Sequence, residues 1–522
     1  GMDVKYGINQ SFTLDMTLIP DFGQVQSDYR VLNLTPFEVK FNENRQFFTE
    51  GTELFNKGDL FYSKRIGSIP SYFDKSGLKQ TEKILKDPQE GKVLNATKIS
   101  GRTAKGLGVV IFNAITNTMY TEVEDEAGNK SRFVSQPLTN YNIFVLDQTL
   151  KNNSSVSVIN TNVLRQGSAY DANVSAALFN FNDKKNTYFI DGAGKMSYLT
   201  TDPVKENRNG YSYELSLGKK SGSFTFRYNQ EFADTKFDPS DMGFYTNNNF
   251  FDQSLSFGYN VFKPGKWYNS IEAWTEVEYS RRFKPGDYQS FGVFPGVWVQ
   301  FKNLWSAELN ANWIAAANDF YESRNAQVFK APESYRMAVY INPNRAKAYN
   351  FGGNVVRIKR DLFDGVGYNF YLFQNFRLSD KLAFGLDLNF APSYDYVNWV
   401  GFNGAPSVFS RYDRNTVENT MDAKYSFTNR MGIQLGVRHY WSDRRNKEFF
   451  GLNNVGGLAP YNGPALQNVD RNYNVFNIDL IYTWQFAPGS TLSVSYKDAA
   501  ETYDTYYTQR YNKNLTGILN AP

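Results

Sequence analysis

Hydrophobic and polar residues alternate with a period of two along almost the whole chain. Phe12, Leu14, Met16 and Leu18 alternate with Thr13, Asp15 and Thr17, and Tyr211, Tyr213, Leu215 and Leu217 with Ser212, Glu214 and Ser216. Leu382, Phe384, Leu386, Leu388 and Phe390 oppose Asp387 and Asn389. Phe476, Ile478, Leu480, Tyr482, Trp484 and Phe486 oppose Asn477, Asp479 and Thr483. Successive side chains of a strand point to opposite faces, so this period predicts strands with one apolar and one polar face. Helical spacing is hard to find, and the chain reads as all-β.

The connections between these strands sort by length. Ala104–Gly106, Lys151–Asn153, Lys219–Gly222, Ser379–Lys381 and Asn429–Arg430 are tight. Between them lie longer ones such as Thr201–Asn209, Ala233–Asn249, Ala316–Ser334, Ala391–Asn415 and Ser442–Arg471. Alternation of short and long connections is what periplasmic turns and extracellular loops produce in a membrane barrel, and a sandwich or propeller has no reason for it. Trp298, Trp305, Trp313, Trp399, Trp441 and Trp484 fall towards predicted strand ends, as interfacial girdles would. The fold expected is a large antiparallel transmembrane β-barrel of about 22 strands, within a range of roughly 18–24. The direction of the terminal strands implies one further strand at each end.

One stretch breaks the pattern. From Pro20 to Gly67, Phe37, Phe41, Phe47, Phe48, Phe55, Phe61 and Tyr62 are interleaved with charges, and Gly51, Gly58 and Gly67 mark turns or close approaches. Such a mixture suits a compact insert with paired charges. So wide a barrel would otherwise leave a large open pore, so this stretch and its continuation to Lys92 are expected to plug the lumen. The organisation expected is residues 1–19 as a first hairpin, 20–92 as the insert and 93–522 as the barrel. The plug candidates are Asp21, Phe22, Gln24, Asp28, Glu38, Arg45, Phe47, Phe48, Glu50, Gly51 and Arg65. The polar faces offer Glu214, Arg227, Glu272, Glu276, Glu278, Asp387, Arg438, Asp479 and Lys497 as lumen-lining candidates.

Composition narrows the chemistry. Among 522 residues there is no cysteine, which excludes disulfides and thiolate sites. Acids and bases nearly balance at a net charge of +4 without a long basic run, which speaks against nucleic acid. No segment approaches the roughly 18 apolar residues of a membrane helix, which says nothing against barrel strands. His439 is the only histidine. Its position with Ile433, Leu435, Val437 and Trp441 puts it at an interface rather than in a triad or zinc site. Glu272, Glu276 and Glu278 could be paired glycosidase carboxylates, but a charged lumen explains them more simply. In the insert, pairing of Asp21, Asp28 and Glu38 with Arg45, Lys64 or Arg65 outweighs catalysis or a calcium site. The loops Ser442–Arg471 and Ala233–Asn249 could stack sugars or chelate metal, though solvated loops commonly have such compositions. No catalytic residue, cofactor or metal is expected.

Five blocks in order carry a resemblance: Asp3-Val4-Lys5-Tyr6-Gly7, Pro20-Asp21-Phe22-Gly23-Gln24-Val25, Asn33-Leu34-Thr35-Pro36-Phe37-Glu38, Arg45-Gln46-Phe47-Phe48-Thr49-Glu50-Gly51, and Phe61-Tyr62-Ser63-Lys64-Arg65-Ile66-Gly67. They resemble the opening of the DUF5916 family, a domain of unknown function in Bacteroidetes and related bacteria. The resemblance implies an outer-membrane β-barrel that follows a signal peptide and a family-9-type carbohydrate-binding domain. It carries no catalytic residues. No signal peptide precedes Gly1-Met2, so Gly1 reads as a cloning remnant and the chain as cut from a longer precursor.

The expectation is a non-enzymatic barrel in the bacterial outer membrane, a plugged channel or a surface platform. Its partners would be the lipid bilayer and, through the link the resemblance implies, carbohydrate or envelope proteins. The alternative is an all-β water-soluble carbohydrate-active hydrolase or sugar-binding protein.

Overall fold

In the computed structural model the described residues are 2–20, 28–79, 81–200, 208–402, 407–464, 466, 469–488, 490–504 and 511–519. Asp21, Phe22 and Gln24 lie outside them. The chain is all-β, dominated by one antiparallel sheet in which neighbours in sequence are neighbours in space. The first strands are β1 (Met2–Gly7), β2 (Phe12–Leu18), β3 (Val93–Arg102), β4 (Leu107–Thr116), β5 (Thr139–Thr149), β6 (Ser155–Arg165) and β7 (Ala172–Asn182). They are followed by β8 (Tyr188–Leu199), β9 (Arg208–Lys219), β10 (Phe224–Ala233), β11 (Phe250–Val261), β12 (Tyr268–Arg281), β13 (Tyr288–Val293 resumed at Gly296–Phe301) and β14 (Ser306–Ile314). The last are β15 (Ser334–Asn342), β16 (Tyr349–Arg360), β17 (Val366–Arg377), β18 (Leu382–Phe390 resumed at Ser393–Phe402), β19 (Ser407–Thr428), β20 (Met431–Leu452), β21 (Arg471–Ala487) and β22 (Ser490–Asp504).

The 25 segments of the sheet reduce to these 22 strands, because β13 and β18 are each interrupted at a proline and Leu458–Pro460 only extends the edge of β20. Proline has no N–H for the ladder, so Pro295 and Pro392 break two strands without ending them. Each strand pairs antiparallel with the next, from β1 with β2 to β21 with β22. The outer edges of β1 and β22 carry no ladder among the described residues, and the two strands run in opposite directions.

The two faces of the sheet differ. On β15, Tyr335, Met337, Val339 and Ile341 are exposed while Ala338 between them is fully buried. Phe144 and Leu146 of β5, Val156 and Val158 of β6, Leu255, Phe257 and Tyr259 of β11, and Leu492, Val494 and Tyr496 of β22 are likewise exposed on that outer side. Isolated exposed apolar residues are ordinary, but a band that continues from strand to strand is of the kind that marks an interaction surface.

The inner face packs on residues 28–92, which leave β2 and rejoin the sheet at β3. Phe48, Leu54, Phe55, Leu60 and Ile66 of this insert form one apolar cluster with Val110, Phe112, Val145, Ile159 and Val174 of β4–β7. Leu32 packs with Tyr440, Tyr473 and Val475 of β20 and β21. One segment thus touches both halves of the sheet, which curls around it.

Several loops expected from the sequence are strand. Residues of the stretches Ala391–Asn415 and Ser442–Arg471 continue β18, β19 and β20, the last two 22 residues each. Around Arg444–Lys447 both faces are polar, so the period is hidden there; cross-strand pairs such as Lys447–Asp413 at 2.6 Å and Arg414 Nε to Ser442 Oγ at 2.8 Å hold the ladder instead. Met119–Glu124 and Lys130–Gln136 leave the main sheet as a hairpin whose first strand pairs with Lys83–Lys86 of the insert region. Among the described residues helix is confined to a single turn at Gln46–Thr49, short 3-10 turns and α1 (Tyr511–Leu519), which lies against β20–β22. It covers His439, which is buried rather than at a lipid boundary: its ring nitrogens lie 2.8 Å from Asn474 Oδ1 and 3.0 Å from Tyr511 Oη.

Candidate functional site

The insert descends along β2–β6 and returns, with glycine at each sharp reversal. Gly51, Gly58 and Gly67 take φ of +62°, +72° and +82°, a region side chains with a Cβ avoid. At Gly67 a Cβ would also stand 3.2 Å from the Gly91 carbonyl. Between these reversals Phe47 and Phe48 meet edge to face, and both rings lie against Phe112.

Arg45 organises the polar part. It donates to Glu43 at 2.8 and 2.6 Å and to the carbonyls of Ile66 and Ser63 at 2.8 and 2.7 Å, with its guanidinium 4.3 Å from the Phe48 ring centroid. Burial acts to raise the Glu43 carboxyl, but the hydrogen bonds and charge of Arg45 outweigh it and hold it below the usual carboxylate range. Asp28 accepts from Lys64 at 2.6 Å, and Glu38 takes a bidentate grip from Arg65 at 2.9 and 2.8 Å.

Charged residues then tie the insert to the inner face. Near the short-turn end, Lys57 pairs with Asp147 of β5, which also accepts from Arg102 of β3 at 2.5 Å and Ser157 of β6 at 2.6 Å. Higher up, Lys98 of β3 donates to the carbonyls of Phe47 and Glu50, and the Glu50 carboxylate meets Lys5 of β1 at 2.7 Å. On the far side, Arg30 pairs with Glu501 of β22 at 2.7 Å. Arg438 of β20 donates to Glu418 at 2.6 Å and to the Arg30 carbonyl at 3.0 Å, with the Tyr29 ring against its guanidinium.

The long-loop side is roofed. Residues 234–249 accept from Tyr62 N at the Met242 carbonyl (2.6 Å) and from Arg65 Nε at the Gly243 carbonyl (3.1 Å). Residues 315–333 add Arg324 to the Leu34 carbonyl at 2.9 Å and a Phe37–Tyr321 ring contact. Within that second loop the Glu322 carboxyl is buried and accepts from Trp399 N at 3.1 Å; burial pushes it up to about 7.

The remaining candidates spread along the inner face. Glu214 pairs with Lys195 at 3.0 Å, and Arg227 reaches Ser216 at 3.0 Å and Asp191 at 3.5 Å. Glu272, Glu276 and Glu278 share one face of β12, with Ser256 donating to Glu276 at 3.1 Å. All three lie along one strand of the charged inner face. Asp387 and Asp479 line a cavity of about 430 Å³ among β16–β21, and Lys497 stands opposite Asp479 in the ladder. Among the described residues no group of three His, Cys, Asp or Glu side chains could hold a metal. Asp422 and the cavity it lines depend on register across several strands, which single-strand periodicity does not supply.

A family model described as a domain of unknown function (DUF5916) matches residues 1–522. Nothing matches among curated proteins. Among solved structures, the outer membrane transporter YddB from Escherichia coli aligns at 6% identity and a TM-score of 0.35, over 80% of this chain and 69% of that one.

Proposed function

Because the chain belongs to the DUF5916 family, whose activity is unknown, we infer its role from its architecture: a closed β-barrel of the bacterial outer membrane that acts as a plugged channel and not as an enzyme. The observation that carries this reading is the insert anchored to both halves of the sheet, to Lys5 on β1 and to Glu501 on β22, while the opposite face carries an exposed apolar band. A band of that kind matches the lipid-facing girdle of a transmembrane barrel. That β1 and β22 run antiparallel supports closure of the sheet, directly or through the further strand expected at each end. The long-loop ends would face outside and the short turns the periplasm. Any part in carbohydrate handling rests on the upstream domain usual in the family.

Two measurements test this. The folded protein should need detergent to remain dispersed and migrate faster unheated than boiled on a denaturing gel; a monodisperse, heat-insensitive protein in plain buffer would overturn the barrel. In planar bilayers, deletion of Pro20–Gly67 should raise single-channel conductance several-fold, and unchanged conductance would overturn the plug.

A further inference from the structure

Beneath the insert, on the side of the sheet it does not fill, the cavity of about 430 Å³ opens among β16–β21. Its charges are arranged in tiers fixed by the ladder. Nearest the short turns, Arg377, Ala383, Lys424 and Gln434 stand in register, with Arg345 and Lys347 of the adjoining turn beside them. The next inner-face tier joins Gly385, Asp422, Gly436 and Asp479. The third joins Asp387, Thr420, Arg438 and Asn477. Tiers on one face are two residues, roughly 7 Å, apart.

Positive charge thus lines the mouth and negative charge the middle. None of the ion pairs among the described residues involves Arg377, Lys424 or Asp422, so these charges are not spent on one another. Lys497 across the ladder offsets Asp479, which leaves Asp422 and Asp387 as the negative side. At the third tier, Arg438 is 1% exposed and is held by Glu418 and the Arg30 carbonyl, outside the cavity lining. Glycine on either side of Asp422 keeps the middle tier open.

We propose that this cavity is a binding chamber for small zwitterionic solutes, with the solute's cationic group at Asp422 and Asp387 and its anionic group at Arg377 and Lys424. A single charge meets attraction at one tier and repulsion at the other, so a solute with both charges about one tier apart is preferred over either alone. The proposal rests on the lumen described above, and it is tested by binding rather than conduction.

The full chain, folded in detergent, is titrated calorimetrically with four probes: glycylglycine, N-acetylglycylglycine, glycylglycine amide and the doubly blocked peptide. Glycylglycine should bind at least tenfold more tightly than the other three. Asp422→Asn should remove its advantage over the N-acetyl peptide, and Lys424→Gln its advantage over the amide. Equal affinities for all four, or no binding to protein whose heat-modifiability shows it folded, would overturn the chamber. Should Asp422→Asn not fold, Asp387→Asn serves the same comparison, and the ranking on the unaltered chain needs no variant. Discriminating binding without conductance would overturn the channel and leave the chamber; conductance without discrimination would do the reverse.

Discussion

The Nη1 of Arg438 donates at 3.0 Å to the backbone carbonyl of Arg30, 408 residues away in the chain. A guanidinium 1% exposed on the sheet thereby fixes where the insert crosses to the second half of the wall. The same side chain holds Glu418 at 2.6 Å and stacks between the rings of Tyr29 and Tyr440.

Replacing it tests that anchor. Arg438→Met fills much of the volume but leaves Glu418 and the Arg30 carbonyl without their donor. Loss of one partner of a buried pair costs roughly 3–5 kcal/mol, and the lower end applies because Glu418 keeps some contact with water. Tryptic cleavage at Arg30 and Lys40 should speed up more than tenfold and the guanidinium midpoint should fall. The double variant with Glu418→Gln should regain part of the loss. Unchanged cleavage would mean the insert is held elsewhere.

The outer face can be probed on β15. Val339 is 44% exposed between Met337 and Ile341, which point the same way. On a water-facing sheet Val339→Arg would cost within about 0.5 kcal/mol. In a bilayer the same arginine should cost roughly 2–4 kcal/mol near the midplane. Urea unfolding in liposomes, compared with the same variant in detergent, measures the difference. A negligible penalty in liposomes would contradict lipid contact at this strand.

Glu322 predicts a pH dependence of the loop that roofs the insert. Its carboxyl titrates near 7 when folded, against an ordinary value of 4.5. The folded loop therefore keeps a proton that the opened loop releases between these values. Stability of the closed loop falls as pH rises from about 4.5 to 7 and is flat beyond. The full loss is about 3 kcal/mol from a shift of this size. Amide exchange of residues 315–333 should be markedly faster at pH 8 than at pH 5 after correction for the intrinsic rate. Glu322→Gln should abolish that extra difference and protect the loop at pH 8. A wild-type profile as flat as the variant's would contradict the burial.

Much of the wall was legible in the sequence because each strand of a two-sided sheet must alternate, as Tyr211, Tyr213, Leu215 and Leu217 do with Ser212, Glu214 and Ser216. The insert was legible by contrast, through clustered phenylalanines and glycines at 51, 58 and 67 that each take positive φ. The long arms of β19 and β20 were not, since Arg444, Arg445, Asn446 and Lys447 give no apolar face to count. Nor was the cover over His439: Tyr511, Leu515, Ile518 and Leu519 of α1 fall at helical spacing, but over nine residues only, too short a run to stand out in a chain of strands. The chamber lay deepest: Asp387, Asp422 and Lys424 come together only through the pairing of separate strands, and a shift of one residue would send them to the other face.

At the opposite end of the insert, Asp147 gathers Lys57, Arg102 and Ser157 while being itself buried. Asp147→Asn keeps the shape and removes the only carboxylate of that group, leaving two cations close together. The tip of the insert should then detach more often from β3–β6. The chain has no cysteine, so a single Leu54→Cys reports on this: Leu54 is buried against the sheet, a Cβ at Gly108 standing 3.1 Å from it. Maleimide should label that cysteine slowly in the otherwise unaltered chain. With Asp147→Asn the rate should rise between about tenfold and a hundredfold, the range that roughly 1.4–3 kcal/mol of lost docking energy gives. Equal rates in the two backgrounds would show that the apolar cluster around Phe55 and Phe112 holds the tip without help from the charges.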